Sequence, residues 1–330
     1  MLTYNHERFI GQAIESALRQ ETNFDYEIVI GEDCSTDSTR EIVSGWQRKY
    51  PDRIRCLLPA RNLGIHRNFL DTLRACTGQY VAVLEGDDFW TSPVKLQKQC
   101  DFLDTHPEYA ICFHNVKMFW DGAEEESWSY SVPDQKETST LDDLLLVNFI
   151  PTCSVMVRNG LVTELPDWMG DLKMLDWPLF ILNARHGYIG YLNESLGAYR
   201  LHADGIYSGL DPIEQQLKKL QMYQAIRGRF GFQRDKLIKE SIFQIYCELA
   251  VRYAQVNELE RAKEYERLSF AEKPFAVLSQ RAKMLLRTRA PKLFSLARQL
   301  NQQSLDARKQ SRSGQLSERT EKAPVTAGNT

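Results

Sequence analysis

Three carboxylates, Glu85, Asp87 and Asp88, end an apolar run that begins at Tyr80 and reads as a buried strand. Burying three unpaired anions would cost far more free energy than the net stability of a fold, so a positive charge is expected beside them. A hard divalent cation, Mg²⁺ or Mn²⁺, takes oxygen ligands and keeps positions for water or a substrate phosphate. The alternative interpretation is an acidic turn that faces water.

A second acidic turn, Gly31 to Thr39, joins another apolar strand to the start of a helix. Its carboxylates and hydroxyls are able to accept hydrogen bonds from a nucleobase imide and a ribose, and free helix N–H groups favour anions nearby. Helix capping explains the segment from Ser35 to Asp37 equally well, but it leaves Asp33 unexplained. The turn from Arg61 to Gly64, taken alone, reads as an ordinary structural turn.

Strand and helix patterns alternate along the first half of the chain. Strands are predicted at residues 2–4, 26–30, 54–58 and 80–84, and helices at 7–20, 37–50 and 65–76. Further strands are predicted at 109–119, 152–158 and 190–199, and further helices at 93–106 and 176–186, with a polar loop at 121–139. This order predicts a parallel sheet with helices on its faces, and ligands bound beyond the carboxyl ends of the strands. Both acidic turns lie at such ends.

The last third of the chain has a helical pattern from Pro212 onward. The predicted organisation is an α/β domain over residues 1–210, a helical region over 211–300 and a disordered polar tail over 301–330. The segment from Ala282 to Leu300 interleaves Lys and Arg with Leu and Phe. That pattern is compatible with peripheral contact to an anionic membrane surface, and a packed helix is the alternative.

The composition argues against several classes of protein. The 330 residues include 41 Lys and Arg against 44 Asp and Glu, a net charge of −3, so nucleic acid is not expected as a partner. The seven cysteines form no CxxC pair, which is typical of reduced thiols in a cytosol. No apolar run reaches the ~18 residues needed to span a bilayer, and the N-terminus lacks a signal-peptide pattern. We therefore expect a cytoplasmic protein, peripheral at most at the inner face of the membrane.

Four segments in register, residues 3–10, 31–39, 61–64 and 84–88, closely resemble the nucleotide-sugar half of family-two inverting glycosyltransferases. The resemblance covers about residues 1–205. It implies a GT-A fold, which is a Rossmann-like, mostly parallel sheet with helices on both faces, here followed by an α-helical C-terminal region. It also implies a nucleotide-diphosphate sugar as donor, with UDP- or dTDP-sugars favoured, and Mn²⁺ or Mg²⁺ as cofactor. The expected acceptor is a glycan, lipid-linked or protein hydroxyl, in the synthesis of a cell-surface polysaccharide or glycan.

The same resemblance assigns roles to individual residues. It implies contacts to the donor nucleotide from a set drawn from all four segments and from a later strand: Thr3, Tyr4, Asn5, Glu7, Asp33, Asn62, Glu85, Gly86 and Arg200. Within that set Asp33 accepts from the base imide, Glu85 approaches the ribose or a metal-bound water, and Arg200 meets the phosphates. Asp87 is the expected direct metal ligand, His202 completes the metal shell and Asp88 is the second carboxylate candidate.

An inverting transfer needs a base that takes the proton of the acceptor hydroxyl as the hydroxyl attacks from the face opposite the diphosphate. The resemblance places that carboxylate at Asp176, at a predicted helix start, and Asp171 is the competing candidate. Trp177 and Trp168 are expected to stack on sugar rings. An N-cap role for Asp176 is compatible with catalysis but does not require it.

Two features depart from the family pattern. Glu32 and Glu85 stand where the family more often has Asp, and the chain opens directly before the base-pocket turn, so either the true start lies upstream or the fold tolerates a shortened strand. These departures favour, as an alternative, a catalytically inactive nucleotide-sugar-binding scaffold protein. A Mg²⁺ phosphotransferase of doubly wound fold is a further rival, but the later strands offer no clearly placed partner lysine.

Overall fold

A computed structural model of the chain describes residues 1–170, 172, 174–205 and 209–273. Asp171, the segment from 282 to 300 and the tail from 301, on which some of the predictions fall, lie outside the described residues. The chain divides into two compact units, Met1–Ser241 and Ile242–Thr330. The predicted domain boundaries at residues 210 and 300 stay predictions.

The elements follow the predicted alternation of strands and helices. The strands are β1 (Leu2–Thr3), β2 (Ile28–Glu32), β3 (Ile54–Leu57), β4 (Tyr80–Ala82), β5 (Phe89–Trp90), β6 (Tyr109–Trp120), β7 (Trp128–Ser129), β8 (Thr138–Ser139), β9 (Met156–Arg158) and β10 (Tyr188–Leu201). The helices are α1 (Ile10–Leu18), α2 (Thr39–Lys49), α3 (Ile65–Ala75), α4 (Lys95–Thr105), α5 (Leu141–Leu146), α6 (Asp176–Asn183), α7 (Pro212–Ile226), α8 (Phe232–Gln255) and α9 (Leu259–Glu272). Short 3₁₀ helices lie at Glu124–Glu126, Thr152–Ser154 and Asp167–Met169.

A three-stranded parallel sheet of order β1-β2-β3 confirms the prediction for the first part of the chain. Every residue of β2 is buried, as expected of a strand covered on both faces. Helix α1 follows β1 and buries Ile10, Ala13, Ile14 and Ala17, which recur at helical spacing. The carboxyl ends of β1 and β2 therefore lie side by side, and they carry the turns that follow Thr3 and Glu32.

The second sheet, of order β4-β9-β6-β10-β5, is mixed rather than parallel throughout. Only the pair of β6 and β10 is parallel along this path, and β4 pairs antiparallel with β9. Regular pairing of β4 ends at Ala82, two residues before the predicted end, but the chain stays extended because the Val83 amide donates to the Val155 carbonyl at 3.1 Å. The local pattern correctly predicted a strand here, but the prediction that it lies in a parallel sheet is wrong for its pairing with β9. That pairing is antiparallel, and β9 lies far away in the sequence.

A single bridge links the two sheets at the acidic turn. Leu2 pairs in parallel with Glu85: the Leu2 amide donates to the Leu84 carbonyl at 3.2 Å, and the Gly86 amide donates to the Leu2 carbonyl at 2.8 Å. The turn after β4 therefore lies against the turn after β1. Because parallel strands end at the same sheet edge, the residues following both strands meet there.

The described part of the second unit contains the later turns of α8 and helix α9, as the helical pattern predicted. Tyr253 of α8 stacks on Tyr265 of α9, with ring centroids 5.4 Å apart and planes inclined by 6°. Among the described residues, the helices are too short or too polar to cross a membrane.

Candidate functional site

The acidic turn Glu85-Gly86-Asp87-Asp88 connects β4 to β5 and packs directly on the turn that follows β1. A Cβ atom on Gly86 would lie 2.6 Å from Thr3 Oγ1 and 2.8 Å from His6 Nδ1, which is too close for any side chain. Glycine at position 86 therefore allows the two turns to touch. This contact places Asp87 beside the imidazole of His6.

Asp87 lies beside two imidazoles from different segments. His202 Nε2 lies 3.1 Å from Asp87 Oδ2, and His6 Nε2 lies 3.8 Å from the same oxygen. Burial opposes ionisation of Asp87, but the hydrogen bond from His202 and the charge of His6 outweigh it, so the pKa of Asp87 lies below its ordinary value. The same hydrogen bond raises the pKa of His202. The structure thus brings together two predicted metal ligands, Asp87 and His202.

For Glu85 and Asp88, burial and neighbouring charges outweigh any such compensation. Burial, followed by the neighbouring charges of Asp87, Asp88 and Asp176, raises the pKa of Glu85 well above its ordinary value. Burial and Asp87 raise the pKa of Asp88 in the same way. Asp88 is 2% exposed, its Oδ1 accepts from the Arg200 amide at 2.8 Å, and its buried Oδ2 has no hydrogen-bond partner of ordinary geometry in the described part of the chain.

Arg200 links the acidic turn to other segments of the fold by hydrogen bonds. Its guanidinium donates to the Asp87 carbonyl at 3.0 Å, to Asp121 Oδ1 at 2.9 Å and to Gln12 Oε1 at 2.7 Å. It also lies over the Phe9 ring, 4.7 Å from the centroid, and the residue is 7% exposed. These contacts give Arg200 a positioning function, and the predicted contact to a donor phosphate stays a prediction.

Replacing Arg200 with Lys is expected to lower the free energy of unfolding by about 3 kcal/mol, because one ammonium group is unable to replace a buried guanidinium that donates to three acceptors at once. Arg8→Lys provides a matched control: Arg8 pairs with the same Asp121 at 2.6 Å, but its side chain is 65% exposed. That change is expected to cost less than about 1 kcal/mol. Urea denaturation of both variants measures the difference, and equal losses would contradict the positioning function.

Asp176 is the first residue of α6 and lies near the same cluster of carboxylates. Its Oδ2 accepts long hydrogen bonds from Thr152 Oγ1 at 3.4 Å and from Asn148 Nδ2 at 3.5 Å. Burial raises the pKa of Asp176, and hydrogen bonds from the surrounding groups only partly offset this. Its charge in turn adds to the rise in the pKa of Glu85, so the two carboxyl groups lie close enough to interact.

The tryptophans near Asp176 have different surroundings. Trp177 is 4% exposed and donates its indole N–H to the Leu144 carbonyl at 2.9 Å, so the prediction that it stacks on a sugar ring is wrong. In a short helix the sequence pattern does not show which face is exposed. Helix α6 is buried on nearly all sides, so Trp177 has no exposed face to offer a sugar. Trp168 is half-buried and lines a cleft with Asp167 and Arg229, so its predicted contact with a sugar stays a prediction.

The turn after β1 and the turn after β2 are hydrogen-bonded to each other. Thr36 N donates to Asn5 Oδ1 at 2.8 Å, and Ser38 N donates to Glu7 Oε2 at 2.9 Å. Asn5 has a φ of 55°, a left-handed conformation that Asn tolerates better than most residues. Asn5 and Glu7 therefore hold the two turns together, and their predicted contacts to a nucleotide stay predictions.

Asp33 and Asn62 also lie together, and their predicted contacts to a donor nucleotide stay predictions. The Asn62 side-chain amide donates to the Asp33 carbonyl at 2.9 Å, and the Leu63 amide donates to Asp33 Oδ1 at 2.7 Å. Asp33 is 4% exposed, whereas Tyr4 is 43% exposed. The carboxylate is fixed in place before any ligand binds.

Sequence reasoning gave little weight to several groups at this site. His6 was assigned only to the base-pocket turn, and Tyr199 had no assigned role, although burial and then the charges of Glu85 and Asp88 raise its pKa well above the ordinary value. Lys95 was also missed: it is wholly buried with its ammonium 4.1 Å from the Trp90 ring centroid, and burial lowers its pKa to about 7. The position of His6 shortly after strand β1 was the one feature of the sequence that pointed to the site, because β1 ends beside the acidic turn.

As the side chains stand, no group of three or more His, Cys, Asp or Glu residues within the described ranges is arranged to hold a metal ion. The ligating atoms of Asp87 and His202 are instead in direct contact. An ion would have to enter between them.

Comparison with known proteins defines the class. The family model described as Glycosyl transferase family 2 matches residues 1–162. The putative teichuronic acid biosynthesis glycosyltransferase TuaG of Bacillus subtilis is 30% identical over 213 residues, which are 62% of this chain and 79% of TuaG. The chain therefore belongs to glycosyl transferase family 2, as the resemblance in its four motifs indicated. An uncharacterized protein of Mycobacterium tuberculosis is 38% identical over 206 residues, 62% of this chain, and the match spans 59% of that relative.

Two solved structures share the fold. TarS residues 1–349 of S. aureus, in complex with UDP-GlcNAc, superposes with a TM-score of 0.61 at 18% identity, covering 87% of this chain and 85% of that one. The mannosyltransferase PcManGT of Pyrobaculum calidifontis, in complex with GDP-Man and Mn²⁺, gives a TM-score of 0.57 at 16% identity, covering 91% of this chain and 81% of that one. These neighbours confirm the predicted GT-A fold.

Proposed function

We propose that the chain is an inverting glycosyltransferase that moves a sugar from a nucleotide-diphosphate sugar, preferably a UDP- or dTDP-sugar, to an acceptor hydroxyl. The observation that carries the proposal is the convergence of distant segments on one acidic cluster: His202 contacts Asp87, and the charges of Asp87 and Asp176 both act on Glu85. A cation site near a carboxylate that is able to act as a base is what a transfer with a diphosphate leaving group requires. TuaG, a putative teichuronic acid biosynthesis glycosyltransferase, supports a cell-surface polymer as the product class.

The residues at the acidic turn fit a divalent cation. Asp88 Oδ2 is buried with no partner of ordinary geometry in the described part of the chain, and Asp87 supplies a carboxylate that stays ionised. Oxygen ligands with one imidazole suit Mn²⁺ or Mg²⁺. We assign Asp87 and His202 to hold the ion, with Asp88 as the second carboxylate. When bound, the ion supplies positive charge against the departing diphosphate.

Asp176 is proposed as the base. As the acceptor oxygen forms its bond to the anomeric carbon, the bond from that carbon to the diphosphate oxygen breaks on the opposite face, and the acceptor proton moves to Asp176. Thr152 and Asn148 hold the carboxylate oriented toward the site.

The turns after β1 and β2 are proposed to bind the nucleoside. The fixed Asp33 carboxylate accepts the imide N–H of a uracil or thymine ring, and the exposed ring of Tyr4 lies in the adjoining turn. The ribose is then directed toward Glu85. Because the pKa of Glu85 is raised, its carboxyl group is able to donate a hydrogen bond to a ribose hydroxyl as well as to accept one. The UDP-GlcNAc complex of TarS is consistent with this donor class.

Hydrolysis of UDP-, dTDP- and GDP-sugars by the purified chain with Mn²⁺ tests the proposal. We expect slow release of UDP or dTDP in the absence of an acceptor, and at least ~10-fold slower release of GDP, since a site that hydrogen-bonds one base leaves polar groups unpaired with another. Release should stop when EDTA removes the ion. Donor binding in calorimetry without turnover under any metal would contradict the transferase and favour the nucleotide-sugar-binding scaffold.

A further inference from the structure

His6 lies in the turn between β1 and α1 and is held there by its own backbone. Its amide donates to Thr39 Oγ1 at 2.8 Å, and its carbonyl accepts from the amides of Phe9 and Ile10, both at 2.9 Å. These bonds tie the residue to the start of α1 and to α2. The direction in which the side chain leaves the backbone is therefore fixed by two helices.

The imidazole of His6 points into the acidic turn. Nε2 lies 3.8 Å from Asp87 Oδ2, the oxygen that also contacts His202 Nε2. Nδ1 is buried with no hydrogen-bond partner among the described residues, and the side chain is 17% exposed. An imidazole ring has a nitrogen lone pair that is able to ligate a metal ion.

The two imidazoles are placed so that both are able to face one ion. Their rings are edge-on, at 85° with centroids 6.3 Å apart, and the Nε2 atoms of both approach the same oxygen of Asp87. Two ligands at right angles in an octahedral shell with bonds of ~2.1 Å are about 3.0 Å apart. The His202–Asp87 distance of 3.1 Å matches that edge, and the His6–Asp87 distance of 3.8 Å exceeds it by an amount that side-chain rotation is able to close.

We propose that His6 is a third protein ligand of the metal ion held by Asp87 and His202, and that this second imidazole gives the site its preference for Mn²⁺ and Co²⁺ over Mg²⁺. The inference rests on the metal dependence proposed above. Mg²⁺ favours oxygen ligands, whereas imidazole nitrogen favours transition-metal ions. Gly86 is part of the arrangement, because any side chain there would push the His6 ring away from Asp87.

Electron spin-echo spectroscopy of bound Mn²⁺ counts the nitrogen ligands without any need for turnover. We expect two coordinated imidazole nitrogens in the unmodified protein, with Mn²⁺ alone and with Mn²⁺ and UDP. His6→Gln should leave one, and His202→Gln should also leave one. His186→Gln, at an exposed histidine, is the matched control and should leave two.

Metal affinity provides a second readout. By calorimetry, His6→Gln is expected to weaken Mn²⁺ binding by at least ~10-fold and Mg²⁺ binding by much less, so that the Mn²⁺ to Mg²⁺ preference falls by a similar factor. His186→Gln should change neither affinity.

The outcomes separate the two proposals. A single nitrogen in the unmodified protein that persists in His6→Gln would overturn the role of His6 and leave the metal site of Asp87 and His202 intact. Unchanged Mn²⁺ affinity with weaker UDP binding in His6→Gln would also overturn it, by placing the imidazole on the diphosphate. Absence of any Mn²⁺ binding to the unmodified protein would overturn the proposed metal dependence itself.

Discussion

Asp87→Asn is expected to lower kcat/KM for donor hydrolysis by at least ~10³-fold, the largest loss we foresee from a single change, because it removes the charge that holds the ion against the leaving diphosphate. The amide keeps the size of the side chain, so the loss should not come from unfolding. Asp134→Asn, at an exposed loop carboxylate, is the control and should retain full activity. A Mn²⁺ titration of the rate in each variant measures the effect.

For the same variant, we also predict a change in the pKa of His202, which is measured without turnover. The hydrogen bond to Asp87 raises the pKa of His202, so this pair stabilises the fold fully below the unfolded pKa of histidine and loses that contribution as pH rises through the folded pKa. Asp87→Asn should lower the pKa of His202 in an NMR titration of the metal-free protein. A His202 pKa that does not move, together with full activity, would remove Asp87 from the site.

Asp176→Asn is expected to lower the rate of sugar transfer by about 10²–10⁴-fold while leaving donor affinity within a factor of about two, since a base acts on the acceptor rather than on the nucleotide. Asp171→Asn tests the competing candidate, and Asp167→Asn, at an exposed carboxylate in the preceding 3₁₀ helix, is the matched control. Both should retain most of the activity. A large loss in Asp171→Asn with a normal Asp176→Asn would move the base to position 171.

The pH dependence follows from the burial of Asp176. Its pKa is raised, so the ionised base is lost as pH falls through that raised value, and the acidic limb of kcat/KM should lie above the range of an ordinary carboxylate. A raised folded pKa also means that ionised Asp176 destabilises the fold above that pKa, and that the penalty disappears below the unfolded pKa. Asp176→Asn should therefore be at least as stable as the unmodified protein at pH 7, measured by urea denaturation.

These two variants also separate an enzyme from a scaffold. A transferase loses turnover in both, through the ion in one case and the base in the other. A protein that only binds nucleotide sugars would show no turnover to lose, and its donor affinity would not respond to Asp176→Asn. Measuring donor affinity and rate on the same preparations distinguishes these cases.

The sequence by itself determined the order of the elements and the place of the acidic turns. The alternation of strands and helices is a local pattern, because apolar residues recur at period 2 or 3.6 within each segment, and β2, α3 and α4 lie within two residues of their predicted ends. Glu85, Asp87 and Asp88 were recognised because carboxylates directly after an apolar strand are costly without a partner. The motifs at residues 3–10 and 31–39 also indicated the family.

Only the tertiary structure decided which of those residues meet. His6 reaches Asp87, and Asp176 reaches Glu85, through sheet pairing that joins segments far apart in the chain, and no local pattern encodes that pairing. The antiparallel setting of β4, the burial of Trp177 and the enclosure of Arg200 by three acceptors were decided in the same way. Hydrophobic periodicity specifies which face of an element is buried, whereas the neighbour on that face depends on how the whole chain packs.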